Sequence, residues 1–242
     1  MNPGSTPRLL VVGVGRAGGS FADALGEAGW DVVEVHHGDA PGACAAGDHD
    51  MVLLCVPDPS VAPLAARLAV RSSVVVAHCA GSLGLDVLAP HPRVASVHPL
   101  VALADRASGS QRLRGAWFGI AGDPVVERLV AALGGRAVRV ADEDRATYHA
   151  AAVVASNHLV ALMGQVQRLA ESVDVPLEAY LDLAVGALAN VVATDPATAL
   201  TGPVARGDWA TVQRHLDALP EHEREAYRVL AEHASRLVDP DG

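Results

Sequence analysis

The sequence contains no lysine, and all 18 of its basic residues are arginine. This absence excludes a Schiff-base lysine, the phosphate-binding lysine of a P-loop and a lysine general acid. Aromatic residues are also few, at 3 Trp, 3 Tyr and 2 Phe, so stacking platforms for single-stranded nucleic acid are not expected. The formal net charge of -10 argues against a phosphate-backbone partner as well. We therefore expect a soluble enzyme or small-molecule binder with no nucleic-acid partner.

Cysteine is scarce too, because Cys44, Cys55 and Cys79 form no C-x-x-C pair and leave one residue over. This spacing favours neither a disulfide framework nor a zinc site, so no metal is expected and a reducing cytoplasm fits. No apolar run reaches the 18 residues of a membrane span, and the polar start at 1–8 shows no targeting pattern. The sequence predicts a cytoplasmic chain with no membrane partner.

The hydrophobic pattern changes along the chain and predicts two unequal domains. Over 9–140, short Val-rich runs alternate with amphipathic stretches, which is typical of parallel strands joined by helices. Strands are predicted at 9–14, 31–36, 51–57, 73–78, 94–98, 116–121 and 136–140, and helices at 16–28, 59–70 and 123–133.

After residue 140 the strand pattern ends and one long Ala-rich helix is predicted at 142–173, with further helices at 176–194, 208–219 and 221–238. The predicted fold is α/β over 1–141, a doubly wound parallel sheet, followed by an all-α domain over 142–242 that would bind substrate or form a dimer.

A glycine motif joins the first predicted strand to the first helix. Gly13 permits a tight turn, Gly15 lets a diphosphate approach the backbone, and Gly18 lets the helix pack on the strand. The helix N-terminus then offers free N–H groups and positive potential to the phosphates, with Arg16 and Ala17 inside the loop. The context predicts a Rossmann dinucleotide site, and the alternative is that the glycines serve only the turn.

The cofactor depends on the residue that ends the second strand, where an acidic side chain would bind the ribose 2′-hydroxyl. That place holds His36 and His37, and Glu34 lies two residues earlier, inside the strand. Two imidazoles beside Arg16 suit a 2′-phosphate better than a bare hydroxyl. NADP is therefore favoured over NAD, and a flavin cofactor or merely solvated histidines remain alternatives.

The third predicted strand ends in Cys55, Val56 and Pro57, which would pass near the nicotinamide ribose in such folds. Val56 and Pro57 are accordingly predicted to bind cofactor. An apolar environment raises the pKa of a thiol, so Cys55 is expected to be inert.

Histidines end the next two predicted strands, at the carboxyl edge where open α/β folds bind ligands. His78 leads into a polar turn containing Ser82, and both are candidates for substrate binding, while His98 is a candidate catalytic residue. The alternative for either histidine is that loop carbonyls satisfy the ring.

The long predicted helix places His149, Ser156 and Asn157 in a segment otherwise fit for burial. At about 100° per residue, Ser156 returns to within roughly 20° of His149, so the three can border one cleft. His149 and Asn157 are predicted to be catalytic and Ser156 to bind substrate. The alternative is that His149 and Asn157 tie helices together.

Between two later helices, Thr201 and Arg206 could bind a carboxylate, with Asp208 capping the next helix. The alternative is a stiff connection in which Arg206 pairs with a carboxylate of the protein itself.

Together these residues resemble the Rossmann-like proteins that carry the domain of unknown function 2520. The motifs that carry the resemblance are the loop at Gly13, His78 with Gly81-Ser82, His98-Pro99, and the segments 145–157 and 199–208. The family is similar to the 6-phosphogluconate dehydrogenase-like superfamily, which includes pyrroline-5-carboxylate reductases, prephenate dehydrogenases and ketopantoate reductases. The resemblance implies a reductase architecture that is dimeric through the helical domain.

One departure concerns the catalytic lysine that hydroxyacid dehydrogenases and ketopantoate reductases of that superfamily carry near an Asn. This chain has Val153 four residues before Asn157, and His149, one turn earlier, is the natural replacement as proton donor. Family members are often encoded near pantothenate synthesis genes, which makes 2-dehydropantoate a candidate substrate.

Three functional hypotheses follow. The first is an NADP-dependent reductase of a small anionic keto acid, with a prephenate-like or hydroxyacid dehydrogenase as the reverse reaction. The second is a non-catalytic NADP-binding sensor or scaffold, and the third is an interaction protein in which the glycine loop is vestigial.

Overall fold

A computed structural model describes residues 6–46, 48–69 and 71–239, without the side chains of 45 and 46. The chain divides into two compact units, Met1–Ser156 and Asn157–Gly242. The predicted boundary after residue 141 falls earlier than this division. The helical residues 142–156 belong to the first unit, where the buried side chain of Arg145 hydrogen-bonds to Ser96 in the sheet.

The first unit is built on a seven-stranded sheet in the order β2-β1-β3-β4-β5-β6-β7. Its strands are β1 Arg8–Val12, β2 Asp31–Val35, β3 Met51–Leu54, β4 Val75–His78, β5 Val94–Pro99, β6 Trp117–Gly122 and β7 Arg136–Arg139. The seven strands confirm the predicted positions, with ends that differ by up to three residues.

The direction of the last two strands differs from the prediction. The neighbouring pairs from β2 through β5 are parallel, but β6 runs antiparallel to β5 and β7 runs parallel to β6. The predicted doubly wound sheet is confirmed as mostly parallel, and only the direction of β6 and β7 departs from it. An antiparallel neighbour needs no crossover connection, which frees the intervening helix to pack elsewhere.

The helices of this unit lie on both faces of the sheet. They are α1 Arg16–Glu27, α2 Ala40–Ala46, α3 Asp58–Ala65, α4 Arg106–Leu113, α5 Val125–Ala132 and α6 Arg145–Val153. Alternate residues of β1 point into two hydrophobic cores, one on each face of the sheet. Leu9 and Val11 pack in the core that contains residues of α1 and α5. Leu10 and Val12 pack in the core that contains residues of α2 and α3. This is the two-sided burial expected of a doubly wound sheet.

Two of the described helices of this unit were not predicted. The helix α2 is short and rich in Ala, Gly and Pro, so it has no amphipathic pattern to detect. The helix α4 is mostly polar, and it is fixed by Asp105, which accepts the N–H of Ser108 at 2.9 Å, and by packing against α1.

The long helix predicted at 142–173 is interrupted. A 3₁₀ turn, Asp142–Asp144, leads into α6, a π turn follows at Val154–His158, and α7 spans Leu159–Glu171. The hydroxyl of Ser156 donates to the carbonyl of Ala152 at 2.6 Å, a bond that competes with regular helical pairing. Because a π turn closes bonds from i to i+5, the α-helical spacing that aligned Ser156 with His149 does not continue through it.

The second unit is helical throughout its described part. After α7 come α8 Leu177–Ala193, α9 Pro196–Ala199, α10 Trp209–Ala218 and α11 Glu221–Val238, with a 3₁₀ turn at Val204–Arg206. Glu223 of α11 anchors α7, because its carboxylate accepts Arg168 Nε at 2.6 Å and its carbonyl accepts Gln165 Nε2 at 3.0 Å. Within the described ranges, no helix combines the length and apolar character needed to cross a membrane.

Candidate active site

The glycine loop has the geometry that its motif predicts. Gly13 has a φ of 103° and donates its N–H to Val35 at 2.9 Å. A Cβ on Gly13 would overlap the carbonyl oxygen of Cys55, and a Cβ on Gly18 would overlap the carbonyl oxygen of Gly13. Both positions therefore exclude any larger residue.

Gly15 differs from its two neighbours, because a Cβ there would have no atom within 4 Å. It is the N-cap of α1, with no side-chain cap and no acidic residue in the first turn. The start of α1 is therefore open at Gly15 and has no acidic side chain in its first turn. This arrangement fits a diphosphate, which such a helix end binds through its N–H groups and dipole.

Beyond the loop, Arg16, His36 and His37 are exposed. Glu34 is already engaged, since both of its carboxylate oxygens accept bonds from Arg106, at 2.7 and 3.1 Å. The same guanidinium binds Asp23 on α1 and holds the pKa of that carboxyl below its usual value. Glu34 thus braces β2 against α1 and α4, and the end of β2 is left to the two histidines.

Val56 and Pro57 follow β3 directly beneath the loop. The Val56 side chain would lie 3.3 Å from a Cβ on Gly13, and Pro57 is the N-cap of α3. A hydrogen bond with Cys79, together with burial, raises the pKa of the Cys55 thiol well above its usual value. This supports the interpretation of Cys55 as unreactive.

A cluster of three rings forms where β5 meets α6, and we call it the His98 cluster: His98, Tyr148 and His149. The Tyr148 hydroxyl lies 2.8 Å from His98 Nδ1, and these two rings meet edge to face with centroids 5.6 Å apart. His149 meets His98 in the same way, also at 5.6 Å. The structure therefore brings together the two histidines predicted to be catalytic.

Gly81 makes this approach possible. A Cβ on Gly81 would overlap Nδ1 of His149 and lie 2.9 Å from Nε2 and Cε1 of His98. Among the described residues, the Nδ1 atom of His149 is buried without a hydrogen-bond partner, as are Nδ1 of His78 and Nη1 of Arg145. A buried polar atom without a partner is uncommon and costs stability, which marks this atom as one that awaits a donor or acceptor.

Burial sets the protonation state of His98. It lowers the pKa of His98 to about 4, and positive charge on His149 and Arg145 acts in the same direction. His98 is therefore neutral at physiological pH. Arg145 is only 1% exposed, donates to Ser96 and lies 3.3 Å from a carboxylate oxygen of Asp142.

His78 lies deeper than the prediction required. It is 0% exposed, and its Nε2 lies 3.1 Å from the carbonyl oxygen of Gly84. Burial also lowers the pKa of His78. The Gly84 carbonyl satisfies Nε2 alone, because Nδ1 of His78 is buried without a partner among the described residues. The complete burial of the ring leaves no edge open to substrate. Ser82 is exposed and donates to Asp58 at 2.8 Å.

The remaining candidates lie after α6. Ser156 is half-buried and Asn157 is exposed, both within the π turn, a feature frequent at functional sites.

In the second unit, Thr201 and Arg206 are exposed, and Asp208 accepts the N–H of Thr211 at 3.0 Å, which confirms it as the cap of α10. Thr201 also lines a cavity of about 400 Å³, enclosed mainly by apolar residues of α7 and α11. Arg206 pairs with no carboxylate in the part of the chain that the structure describes.

Several site residues were not predicted from sequence. Tyr148 and Arg145 stand beside His149 in the 145–157 motif, so their polarity in an Ala-rich helix was an available signal. Gly81 and Arg106 had no local signal, because their roles depend on contacts with distant segments. The described residues contain no group of three or more His, Cys, Asp or Glu side chains placed to hold a metal.

Comparison with solved structures shows the same fold over nearly the whole chain. A Bacteroides fragilis protein, provisionally described as an NADP oxidoreductase, is 19% identical with a TM-score of 0.79, covering 96% of this chain and 98% of that one. A Thermotoga maritima protein is 23% identical with a TM-score of 0.75, covering 96% and 99%. A reductive aminase from Aspergillus terreus, solved with NADPH and ethyl levulinate, is 14% identical with a TM-score of 0.67, covering 96% and 94%. These likenesses establish the fold.

The sequence itself matches two family models. Residues 39–102 match the Rossmann-like domain, and residues 118–234 match the domain of unknown function DUF2520. A comparison with curated proteins finds no match. Both matches agree with the resemblance seen in the motifs, and the chain thus contains the Rossmann-like and DUF2520 domains of the family that its sequence resembles.

Proposed function

We propose that the protein is an NADP-dependent oxidoreductase that reduces the carbonyl group of a small anionic keto acid. One observation carries this proposal: the open glycine loop and the His98 cluster both lie at the carboxyl edge of the parallel strands of one sheet. Solved structures of the same fold include proteins described with NADP or NADPH, which supports the choice of cofactor.

The residues around the loop fit the cofactor. Gly13, Gly15 and Gly18 would hold the diphosphate at the start of α1, and Val56 and Pro57 would border the nicotinamide ribose.

At the end of β2, Arg16, His36 and His37 would meet the 2′-phosphate, because Glu34 is occupied by Arg106. When bound, NADPH supplies a hydride to the substrate carbonyl carbon.

The chain's own contribution is proton supply and positioning. His149 donates a proton to the forming alkoxide, and His98 assists as a neutral imidazole. A general acid of this kind contributes a rate factor of about 10² to 10⁴. Ser156 orients the carbonyl oxygen. In the second unit, Asn157, Thr201 and Arg206 offer an amide, a hydroxyl and a guanidinium, and the guanidinium has two parallel donors for a carboxylate.

The first test is binding. Fluorescence titration with NADPH and, separately, NADH at physiological salt should give micromolar affinity with a clear preference for NADPH. No binding of either at millimolar concentration would leave the glycine loop as a structural turn and overturn the proposal. A keto-acid screen, run in both directions and including 2-dehydropantoate, then separates a reductase from a dehydrogenase.

The second test separates catalysis from binding. His149→Ala should lower turnover by about 10²-fold or more while NADPH affinity stays unchanged, because His149 is assigned to proton transfer alone. His233→Ala, an exposed histidine on α11, is the matched control. Equal loss of turnover and NADPH affinity would sink the assignment of His149. Tight NADPH binding without turnover of any keto acid would instead favour the sensor, which the absence of lysine also suggests.

We also propose that a second copy of the chain covers α8. This 17-residue helix has no buried residue. Its exposed Leu181, Val185, Leu188 and Val192 follow the four-three-four spacing of a helix seam that packs on its equivalent. Two identical seams facing each other would bury the stripe without requiring a different partner.

A further inference from the structure

One face of the sheet changes from apolar to polar toward the carboxyl ends of β4 and β5. Val76 and Val94 belong to the core that contains residues of α2 and α3. The residues two positions further along these strands are His78 and Ser96, which are register partners and therefore lie on the same face. His98 follows Ser96 after two more positions and shares that face. Polar groups on a buried face need partners, and α6 supplies them here.

Two contacts connect this face of β5 to α6. Nη2 of Arg145 donates to Oγ of Ser96. The rings of His98 and His149 meet edge to face, with centroids 5.6 Å apart. Arg145 precedes His149 by four residues, and Ser96 precedes His98 by two. Four helical residues rise about 6.0 Å and two strand residues about 6.6 Å, so the separation of the two contacts is nearly equal on the helix and on the strand. The first contact thus holds α6 where the second can form.

Arg145 is also joined to the loop between β4 and β5. Its Nε lies 3.3 Å from Oδ1 of Asp142, whose other oxygen accepts the N–H of Leu85 at 3.1 Å. Leu85 lies four residues after Gly81, whose missing Cβ leaves room for the two histidine rings. The guanidinium therefore links the strand, the helix and the loop that surround the two imidazoles.

Burial makes this arginine an unusual choice for stability alone. The Arg145 side chain is 1% exposed, and its Nη1 atom lacks a hydrogen-bond partner among the described residues. Replacing a buried ion pair by apolar side chains of similar volume is often neutral or stabilising. The guanidinium is therefore better explained by the three segments that it holds together than by the stability that it adds.

We propose that Arg145 is a positioning residue whose bonds to Ser96 and Asp142 hold His149 against His98. We call Arg145, Ser96 and Asp142 the Arg145 clamp. The inference rests on the proposed function in one respect, because His149 is the group assigned to proton transfer there. Arg145 need not touch substrate or cofactor for this role.

The chain offers a matched control at the opposite end of β5. Arg93 directly precedes this strand and lies five residues before His98. Its Nε donates to Asp123 at 2.9 Å, and its Nη1 donates to the carbonyl of Ser73 at 3.0 Å. Like Arg145, it joins a carboxylate to another segment. Arg93→Met therefore makes the same chemical change on the same strand without altering the His98 cluster.

The first readout is the nuclear Overhauser effect between ring C–H protons of His98 and His149, measured on the full chain labelled with ¹³C-histidine. The signals are assigned by their loss in His98→Asn and His149→Gln. The wild type should show a cross-peak, because the two rings meet edge to face. Arg145→Met should lose the cross-peak while circular dichroism shows an intact fold, and Arg93→Met should keep it.

Two milder variants keep the clamp testable if Arg145→Met does not fold. Asp142→Asn keeps the size of the side chain but replaces one acceptor oxygen by a donor, so it cannot serve Arg145 and Leu85 as the carboxylate does. The Asp142 side chain is 45% exposed, so this variant should fold, and its cross-peak should weaken. Arg145→Lys keeps the charge but not the planar fork, so its cross-peak should be weaker than that of the wild type and stronger than that of Arg145→Met.

Turnover provides the second readout. Arg145→Met should lower kcat by about 10-fold or more, because a displaced proton donor loses the advantage of orientation. The KM for NADPH should stay unchanged, since the glycine loop belongs to β1 and α1. Arg145→Lys should recover part of the lost kcat, and Arg93→Met should leave kcat unchanged.

The proposal is overturned if the wild type shows no cross-peak, or if folded Arg145→Met keeps it. Where Arg145→Met does not fold, an Asp142→Asn cross-peak of wild-type intensity overturns it. Loss of the cross-peak in Arg93→Met as well would show a general loosening of β5 and would also overturn it. A lost cross-peak without loss of kcat would remove the Arg145 clamp from catalysis. The spectra need no substrate, so failure to find a keto acid would count against the proposed function and not against this inference.

Discussion

Acidification should destabilise the first unit through His98. Its folded-state pKa is about 4, whereas an unperturbed histidine titrates near 6.5. Between these values the unfolded chain binds a proton that the folded chain does not, so stability is lost as the pH falls from 6.5 toward 4. Above 6.5 both states are neutral at this residue and its contribution is constant.

The magnitude follows from the two pKa values. Lowering the pH from 7.5 to 4.5 should remove about 2.5 kcal/mol of unfolding free energy through His98 alone. The charged or titratable groups that face this ring are Tyr148, His149, Arg145, Asp58 and His78. These groups are present both in the wild-type chain and in a His98→Asn variant. Most of their own pH dependence therefore cancels when the stabilities of the two proteins are compared.

The assay compares the chain with its His98→Asn variant. Asparagine keeps a side-chain acceptor for the Tyr148 hydroxyl and does not titrate, so only the histidine term is removed. Trp209 belongs to the second unit, while Trp30 and Trp117 belong to the first, and a Trp209→Phe background therefore confines the fluorescence signal to the first unit. Urea unfolding at several pH values then gives the difference directly. Identical pH dependence of the two proteins would refute a depressed pKa at His98.

Four further substitutions test the geometry. Gly18→Ala should unfold more easily by about 3 kcal/mol or abolish folding, since its Cβ meets backbone, whereas Gly15→Ala should fold normally and lose NADPH affinity in a titration. Gly81→Ala should destabilise the fold by about 1–3 kcal/mol through overpacking, seen as a lower melting temperature, and should also lower turnover. Unchanged turnover would contradict the assignment of the His98 cluster to the active site. Val185→Glu should convert a dimer to a monomer in sedimentation, and a wild-type monomer would refute the seam on α8.

The sequence predicted the elements whose pattern is local. Buried strands such as β1 and β3 are nearly all Val, Leu and Met, so their positions follow from the sequence alone. Strand direction is different, because a connection that contains a helix fits either a parallel or an antiparallel neighbour. The reversal at β6 accompanies the packing of α4 against α1, a long-range contact that no local pattern records.

The candidate site likewise contains features that the local sequence predicted and features that depend on distant contacts. The motif at Gly13 and the histidines that end β4 and β5 were visible, because strand ends and glycine spacing are local properties. Fully buried His78 was not distinguishable from half-buried His98, since depth depends on what covers each ring. Tyr148 had a local signal in its polarity within an Ala-rich helix, but its pairing with His98, fifty positions away, was not visible in the sequence.

The reversed direction of β6 makes the His98 cluster sensitive to strand register. In the antiparallel pair, His98 lies opposite Gly119, and a Cβ on Gly119 would overlap the Tyr148 hydroxyl. A slip of one residue would place Phe118 or Ile120 opposite His98 and exchange the two faces of the strand. Deleting a single residue from the early part of β6 should therefore displace Tyr148.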